Sequence, residues 1–386
     1  MSVRIVVFGA TGYTGELTAR ALVAAGAAPV LAGRNVARLA DLGRELGGLE
    51  YVVADAGRPA TVAALVRPGD VLISTVGPFL RWGEPAVAAA VGAGAHYLDS
   101  TGEPGFIRDV FERWGPRAAD AGCTIMTAMG YDYVPGNVAA ALALTDAASS
   151  PLDLRNAGLK GTAVGVDVGY FTTADGDPGR SAGRSSVSGG TRASMFGVLG
   201  EPLFAWRGGR LVSERGAASM RGFDVDGRTL RAVSVGGSEH LILPAAFPQV
   251  RDVGVYLGWF GSASPAVVAA SGLGELLMAI PGIRPATRGL MGRFARGSTG
   301  GPDAEARARV GSLVVAEARD AAGRVVGRAR LEGVNPYDFT AAMLAWSALQ
   351  AAAGRLAVGG AHGPVSAFGL AAAMQGVEAA GLGRVG

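Results

Sequence analysis

The feature that most constrains this chain is the rhythm of its first 135 residues, where short apolar runs alternate with helix-length segments. Arg4–Phe8 reads as a strand, Gly9-Ala-Thr-Gly12-Tyr-Thr-Gly15 follows it, and a helix runs to about Ala25. Further strand-like runs at Pro29–Ala32, Leu49–Ala54, Val71–Ser74, Tyr97–Asp99 and Thr124–Thr127 are separated by helical segments at Val36–Leu46, Pro59–Val66, Pro85–Val91 and Phe106–Ala121. Short strands joined by helices imply right-handed crossovers and a parallel sheet. The expected fold is therefore α/β, a Rossmann-type doubly wound sheet.

Gly is 62 of 386 residues, so three spaced glycines mean little by themselves. Their place, directly after the first strand and opening the first helix, is what counts. Small residues there let the backbone approach a pyrophosphate, with free N–H groups and the helix dipole facing the anion. Gly9, Thr11, Gly12, Tyr13, Thr14 and Gly15 are the expected cradle. The second strand ends in Leu31-Ala-Gly-Arg34-Asn35, with no acid before Asp41. A planar guanidinium suits a 2′-phosphate that a carboxylate would repel. Arg34, with Asn35 beside it, thus predicts NADP(H), and Asp55 after the third strand is expected at the adenine.

Several stretches together resemble the saccharopine dehydrogenase-like oxidoreductases, nearest to the bacterial branch called trans-acting enoyl reductases. They are Gly9–Gly15 with Ala32–Asn35, Ser74–Phe79, Gly102–Pro104, Gly130–Pro135, Ser188–Ser194, Gly301–Arg307 and Asn335–Thr340. The resemblance implies an NADP(H)-binding Rossmann domain over 1–137, an inserted α+β substrate and dimerisation domain over 138–334, and C-terminal helices over 335–386 that pack back on the Rossmann domain. It implies hydride transfer to an activated double bond, and relatives reduce either C=C or C=N. By position, Thr75, Val76, Gly77, Pro78 and Phe79 pass beside the nicotinamide ribose, which agrees with the rule that ligands lie beyond the carboxyl ends of such strands. Gly130 follows the sixth strand, and Tyr131, Asp132 and Tyr133 are the candidate proton donors, with Asp99 and Glu103 bracketing the preceding loop. Asp132 can equally cap the helix after Pro135. A non-catalytic NADP(H)-binding regulator remains the rival from another class.

From about Pro151 the pattern changes. Strand-like runs at Val164–Thr172, Leu230–Val235, Val253–Phe260, Ser312–Arg319 and Val325–Leu331 lack interleaved helices and predict a mixed sheet. Asp320-Ala-Ala-Gly323 signals a hairpin, and Ser188 or Thr191 can cap a helix to about Leu199. Asp338–Arg355 reads as a helix. Val253–Ile283 holds a single charge, Glu275, but Pro265, Gly272, Gly274 and Pro281 break it too often for a membrane span. It reads either as core or as an apolar lid followed by Arg284, Arg288, Arg293 and Arg296. The lid favours a hydrophobic, enoyl- or polyketide-like small molecule over a diacid imine, and leaves peripheral membrane contact open. A homodimer is left open too.

Charge excludes other classes. The net charge of +3 comes without any basic run, so nucleic-acid binding has no local support. One cysteine, Cys123, forbids an internal disulfide and a multi-Cys zinc cluster; it reads as buried core. His96, His240 and His362 are scattered, and His96 reads as a loop residue before its strand. No metal is expected. The first residues lack a signal-peptide pattern, which predicts a cytoplasmic protein.

Overall fold

Six strands follow one another in the first part of the chain: β1 (Ile5–Phe8), β2 (Val30–Gly33), β3 (Tyr51–Val53), β4 (Val71–Ser74), β5 (His96–Asp99) and β6 (Thr124–Met126). They pair in parallel in the order β3-β2-β1-β4-β5-β6, and Gly360–Ala361 adds a seventh strand beside β6. β1, β2 and β4 are buried along their whole length, which is why they read as unbroken apolar runs rather than alternating ones. β3 forms the edge and leaves Tyr51 and Val53 exposed. The chain runs one way from β1 to β2 and the other way from β4 to β5. The crevice between the carboxyl ends of β1 and β4 is thus the switch point at which such sheets bind ligands.

The computed structural model describes residues 3–148, 163–174, 177–178, 203–259, 261–278, 300–357 and 359–385. Two units result: Met1–Val134 with Thr299–Gly301 and Pro336–Gly381, and Pro135–Ser298 with Pro302–Asn335 and Leu382–Gly386.

In the first unit, α1 (Tyr13–Ala24) and α2 (Val36–Glu45) follow β1 and β2. The helical stretch after β5 starts at Pro104 rather than Phe106. It widens to a π-turn over Val110–Trp114, where Gly115 N–H bonds Val110 O, before resuming from Gly115 to Asp120. Pro116, which has no N–H to give, sits just past that widening. His96 is the first residue of β5 rather than a loop residue, and its Nδ1 accepts the Thr124 N–H at 3.1 Å. Burial lowers its pKa. Cys123 lies fully buried in the core of this unit. The helix Pro336–Ala352 packs along α1.

The second unit holds a ten-stranded mixed sheet. Gly165–Ala174 is its spine, paired in parallel with Asp252–Leu257 and antiparallel with Val310–Arg319. Val310–Arg319 turns back as Val325–Gly333 through Asp320–Gly323, where the Asp320 carboxylate accepts the N–H of Ala322 and of Arg324 and Gly323 takes φ +79°. The sequence pattern does not announce the strands Leu203–Arg207, Arg210–Glu214 and Met220–Val225, nor the two-residue Asp177–Pro178. The chain also does not end on helices. Leu382–Arg384 is a strand of this second sheet, beside Val325–Gly333.

Of the apolar stretch, Asp252–Leu257 is a strand and Ser264–Met278 a helix in contact with the hairpin Met220–Ser234. The rest of the proposed lid, with its four arginines, lies outside the described residues, as does the helix expected from Ser188 or Thr191. Among the described residues no helix is long and apolar enough to cross a membrane.

Candidate active site

Glycine is forced at two points of the turn after β1. Gly9 takes φ +92°, and a side chain there would meet Thr75 Oγ1 at 2.6 Å. A Cβ on Gly15 would lie 2.2 Å from Gly9 O. The turn is therefore pressed flat between α1 and the end of β4. Gly9 N–H and Ala10 N–H both bond Ala32 O, and Gly12 N–H returns to Gly9 O. Thr75 Oγ1–H reaches Phe8 O at 3.2 Å and Gly9 O at 3.3 Å. No side chain caps the amino end of α1, which suits an anion site. Tyr13 packs edge-on against Tyr337, with centroids 5.2 Å apart.

Arg34 follows β2 on the surface, and no ion pair or hydrogen bond occupies it among the described residues. A free guanidinium near a pressed glycine turn fits the 2′-phosphate of a dinucleotide. Its neighbour Asn35 caps α2: Oδ1 accepts the Arg38 N–H at 3.1 Å. Asp55 does not end β3, which stops at Val53. Its carboxylate closes a turn by accepting the Gly57 N–H at 2.9 Å.

Beyond β4, Thr75–Gly77 lead into a short helix, Phe79–Trp82. Glu103 caps it, accepting the Phe79 N–H at 2.8 Å and the Leu80 N–H at 2.9 Å. Phe79 is buried against Phe106. At the end of β5, Asp99 is fully buried and accepts the N–H groups of Thr101 and Ala128 and the Thr127 hydroxyl. Burial pushes its pKa up to about 6 in spite of these bonds.

The loop after β6 separates the three candidate donors. Tyr131 and Tyr133 are buried side chains. Tyr131 packs against Phe339, and its N–H bonds Thr340 Oγ1. Tyr133 carries φ +133°, a costly backbone for a bulky residue and of the kind found where a loop presents a working group. Asp132 differs from both. It is only partly buried and makes no hydrogen bond or ion pair among the described residues, so it caps nothing. It lies beside Gly102, where an added Cβ would come 3.2 Å from its Oδ2. Desolvation alone raises its pKa to about 6. A carboxyl without a partner and with its pKa raised to about 6 is protonated in mildly acidic solution and suits proton transfer.

The β3-β2-β1-β4-β5-β6 sheet, the pressed glycine turn and the open helix end define a dinucleotide-binding α/β domain. Residues 5–126 match the family described as saccharopine dehydrogenase NADP binding domain. This part of the chain is similar to that NADP-binding domain, and the residues present fit NADP(H).

Among curated proteins, a putative trans-acting enoyl reductase of Mycobacterium tuberculosis is 41% identical over 140 residues, covering 35% of this chain and 33% of that one. A trans-acting enoyl reductase of Mycobacterium ulcerans is 41% identical over 140 residues, 35% of this chain and 34% of its own. The match thus spans about a third of the length of these relatives. Among solved structures, the apo saccharopine dehydrogenase (L-Glu forming) of Saccharomyces cerevisiae aligns over 100% of this chain and 99% of that one, with TM-score 0.55 and 14% identity. That likeness extends the shared fold to the second unit.

Proposed function

We propose that this chain is an NADPH-dependent oxidoreductase acting on an activated double bond, with Asp132 as the proton donor. The observation that carries the reading is the partnerless Asp132 carboxyl, raised to about 6, beyond the carboxyl end of β6 in an NADP-binding domain. Bound NADPH supplies a hydride. Gly9–Gly15 would hold the pyrophosphate, Arg34 the 2′-phosphate, and Thr75–Phe79 the nicotinamide side. Asp132 holds a proton on its carboxyl oxygen and gives it to the atom that becomes electron-rich as the double bond is reduced. The relatives named enoyl reductases, and an apolar stretch after residue 252, favour a C=C bond in a small hydrophobic substrate. The test is NADPH consumption against enoyl thioesters, α,β-unsaturated ketones and cyclic imines. Turnover of an enoyl thioester supports the reading, turnover of imines alone moves it to C=N, and NADPH binding without turnover leaves a cofactor-binding regulator.

A further inference from the structure

A chain of hydrogen bonds, most of them side chain to backbone, joins the three loops that follow β4, β5 and β6. Asp99, at the end of β5, takes the Ala128 N–H at 2.8 Å and the Thr127 hydroxyl at 2.9 Å from the β6 loop, and the Thr101 N–H at 2.9 Å from its own. Thr101 Oγ1 accepts the Glu103 N–H at 3.1 Å. Glu103 then takes the Phe79 and Leu80 N–H groups of the β4 loop. Asp99, Thr101 and Glu103 are all buried. What they hold is not self-supporting: Ala128 has φ +60° and Tyr133 φ +133°, conformations that non-glycine residues leave unless their surroundings fix them. The chain ties down the β6 loop at one end and the helix Phe79–Trp82 at the other.

We infer that Asp99, Thr101 and Glu103 are positioning residues that lock these loops into one frame for the nicotinamide half of the cofactor. The inference rests on the reductase reading only for the place of that half. It concerns the frame rather than the chemistry. The Asp-x-Thr-x-Glu spacing puts alternate polar side chains just past an apolar strand. Each is buried and hydrogen-bonded along the chain of bonds, which is what a frame needs and a solvated loop does not.

Binding by the full-length chain tests this without a substrate. The dissociation constants of NADPH and of 2′-phospho-ADP-ribose, which lacks nicotinamide, are compared in wild type, Glu103→Gln, Thr101→Val and Thr101→Ser. Gln turns an N–H donor toward Leu80 N–H, Val removes the acceptor for Glu103 N–H, and Ser keeps it. The expected result is a wild-type preference for NADPH that falls on the order of tenfold in Glu103→Gln and Thr101→Val. Affinity for 2′-phospho-ADP-ribose should be unchanged, and Thr101→Ser should behave as wild type. Equal weakening of both ligands, an unchanged ratio, or no wild-type preference would overturn the inference. A wild type that binds neither ligand would overturn the dinucleotide reading itself. A shifted ratio in a protein that reduces nothing would remove the reductase reading and leave the frame standing.

Discussion

In the mixed-sheet unit, Asp167 and Glu317 lie opposite each other on paired strands and arginines meet both of them. Arg221 bridges the two, at 2.5 Å from Asp167 and 2.7 Å from Glu317, while Arg319 holds Asp167 and Arg328 holds Glu317. In the parallel-sheet unit, Asp99 is buried against N–H and O–H groups only, and Asp132 bonds to nothing among the described residues. Burial raises the pKa of all three aspartates, but at Asp167 the arginines pull against it. A carboxylate with cations around it stays charged and serves the fold. One without them has its pKa lifted toward neutrality, where it can take part in proton transfer. The comparison therefore separates carboxylates that serve the fold from one that the proposed reaction would use.

The largest effect should come from Asp132→Asn. Loss of a general acid costs about 10²- to 10⁴-fold in rate, so kcat should fall by that order while NADPH affinity holds, read by steady-state kinetics and titration. Arg221→Ala should do the reverse. Two buried carboxylates would lose a shared partner, and denaturant unfolding should record a loss of about 3–5 kcal/mol with NADPH affinity unchanged. A weak effect on stability would break the division drawn above.

Arg34→Ala should weaken NADPH roughly ten- to a hundredfold, the value of about 1.5–3 kcal/mol for lost charge-assisted bonds, and leave NADH nearly untouched. Equal loss for both would move the 2′-phosphate elsewhere. The smallest effect belongs to Asn35→Ala. Removing the α2 cap should cost about 1 kcal/mol of stability and spare the NADPH constant, which separates a capping residue from a cofactor contact.

The parallel sheet was legible in the sequence because its strands are buried on both faces and its helices separate them. Ile5–Phe8 and Val71–Ser74 announce themselves as apolar blocks. The mixed sheet was legible only in part. Arg210–Glu214 and Met220–Val225 carry exposed, charged positions, so neither stands out from the polar sequence around it. At the site, the glycine turn could be read because Gly9 and Gly15 are sterically compelled. The ranking among Tyr131, Asp132 and Tyr133 could not, since adjacent residues differ here only in which way the loop turns each side chain. The capping role of Asn35 was hidden, because spacing does not reveal that its Oδ1 bonds the Arg38 N–H. The bonds of Asp99 and Glu103 were hidden for the same reason: they reach backbone groups up to 29 residues away.

The most direct test is the pH dependence of kcat, with whichever panel substrate is reduced, in wild type and in Asp132→Asn. A general acid must be protonated to act, and burial raises this one to about 6, so wild-type kcat should be high below that pH and fall tenfold per unit above it. The Asn variant should be slow and flat through the same range. A wild-type profile with no falling limb near pH 6, or one that the Asn variant shares, would contradict the assignment of Asp132 as proton donor.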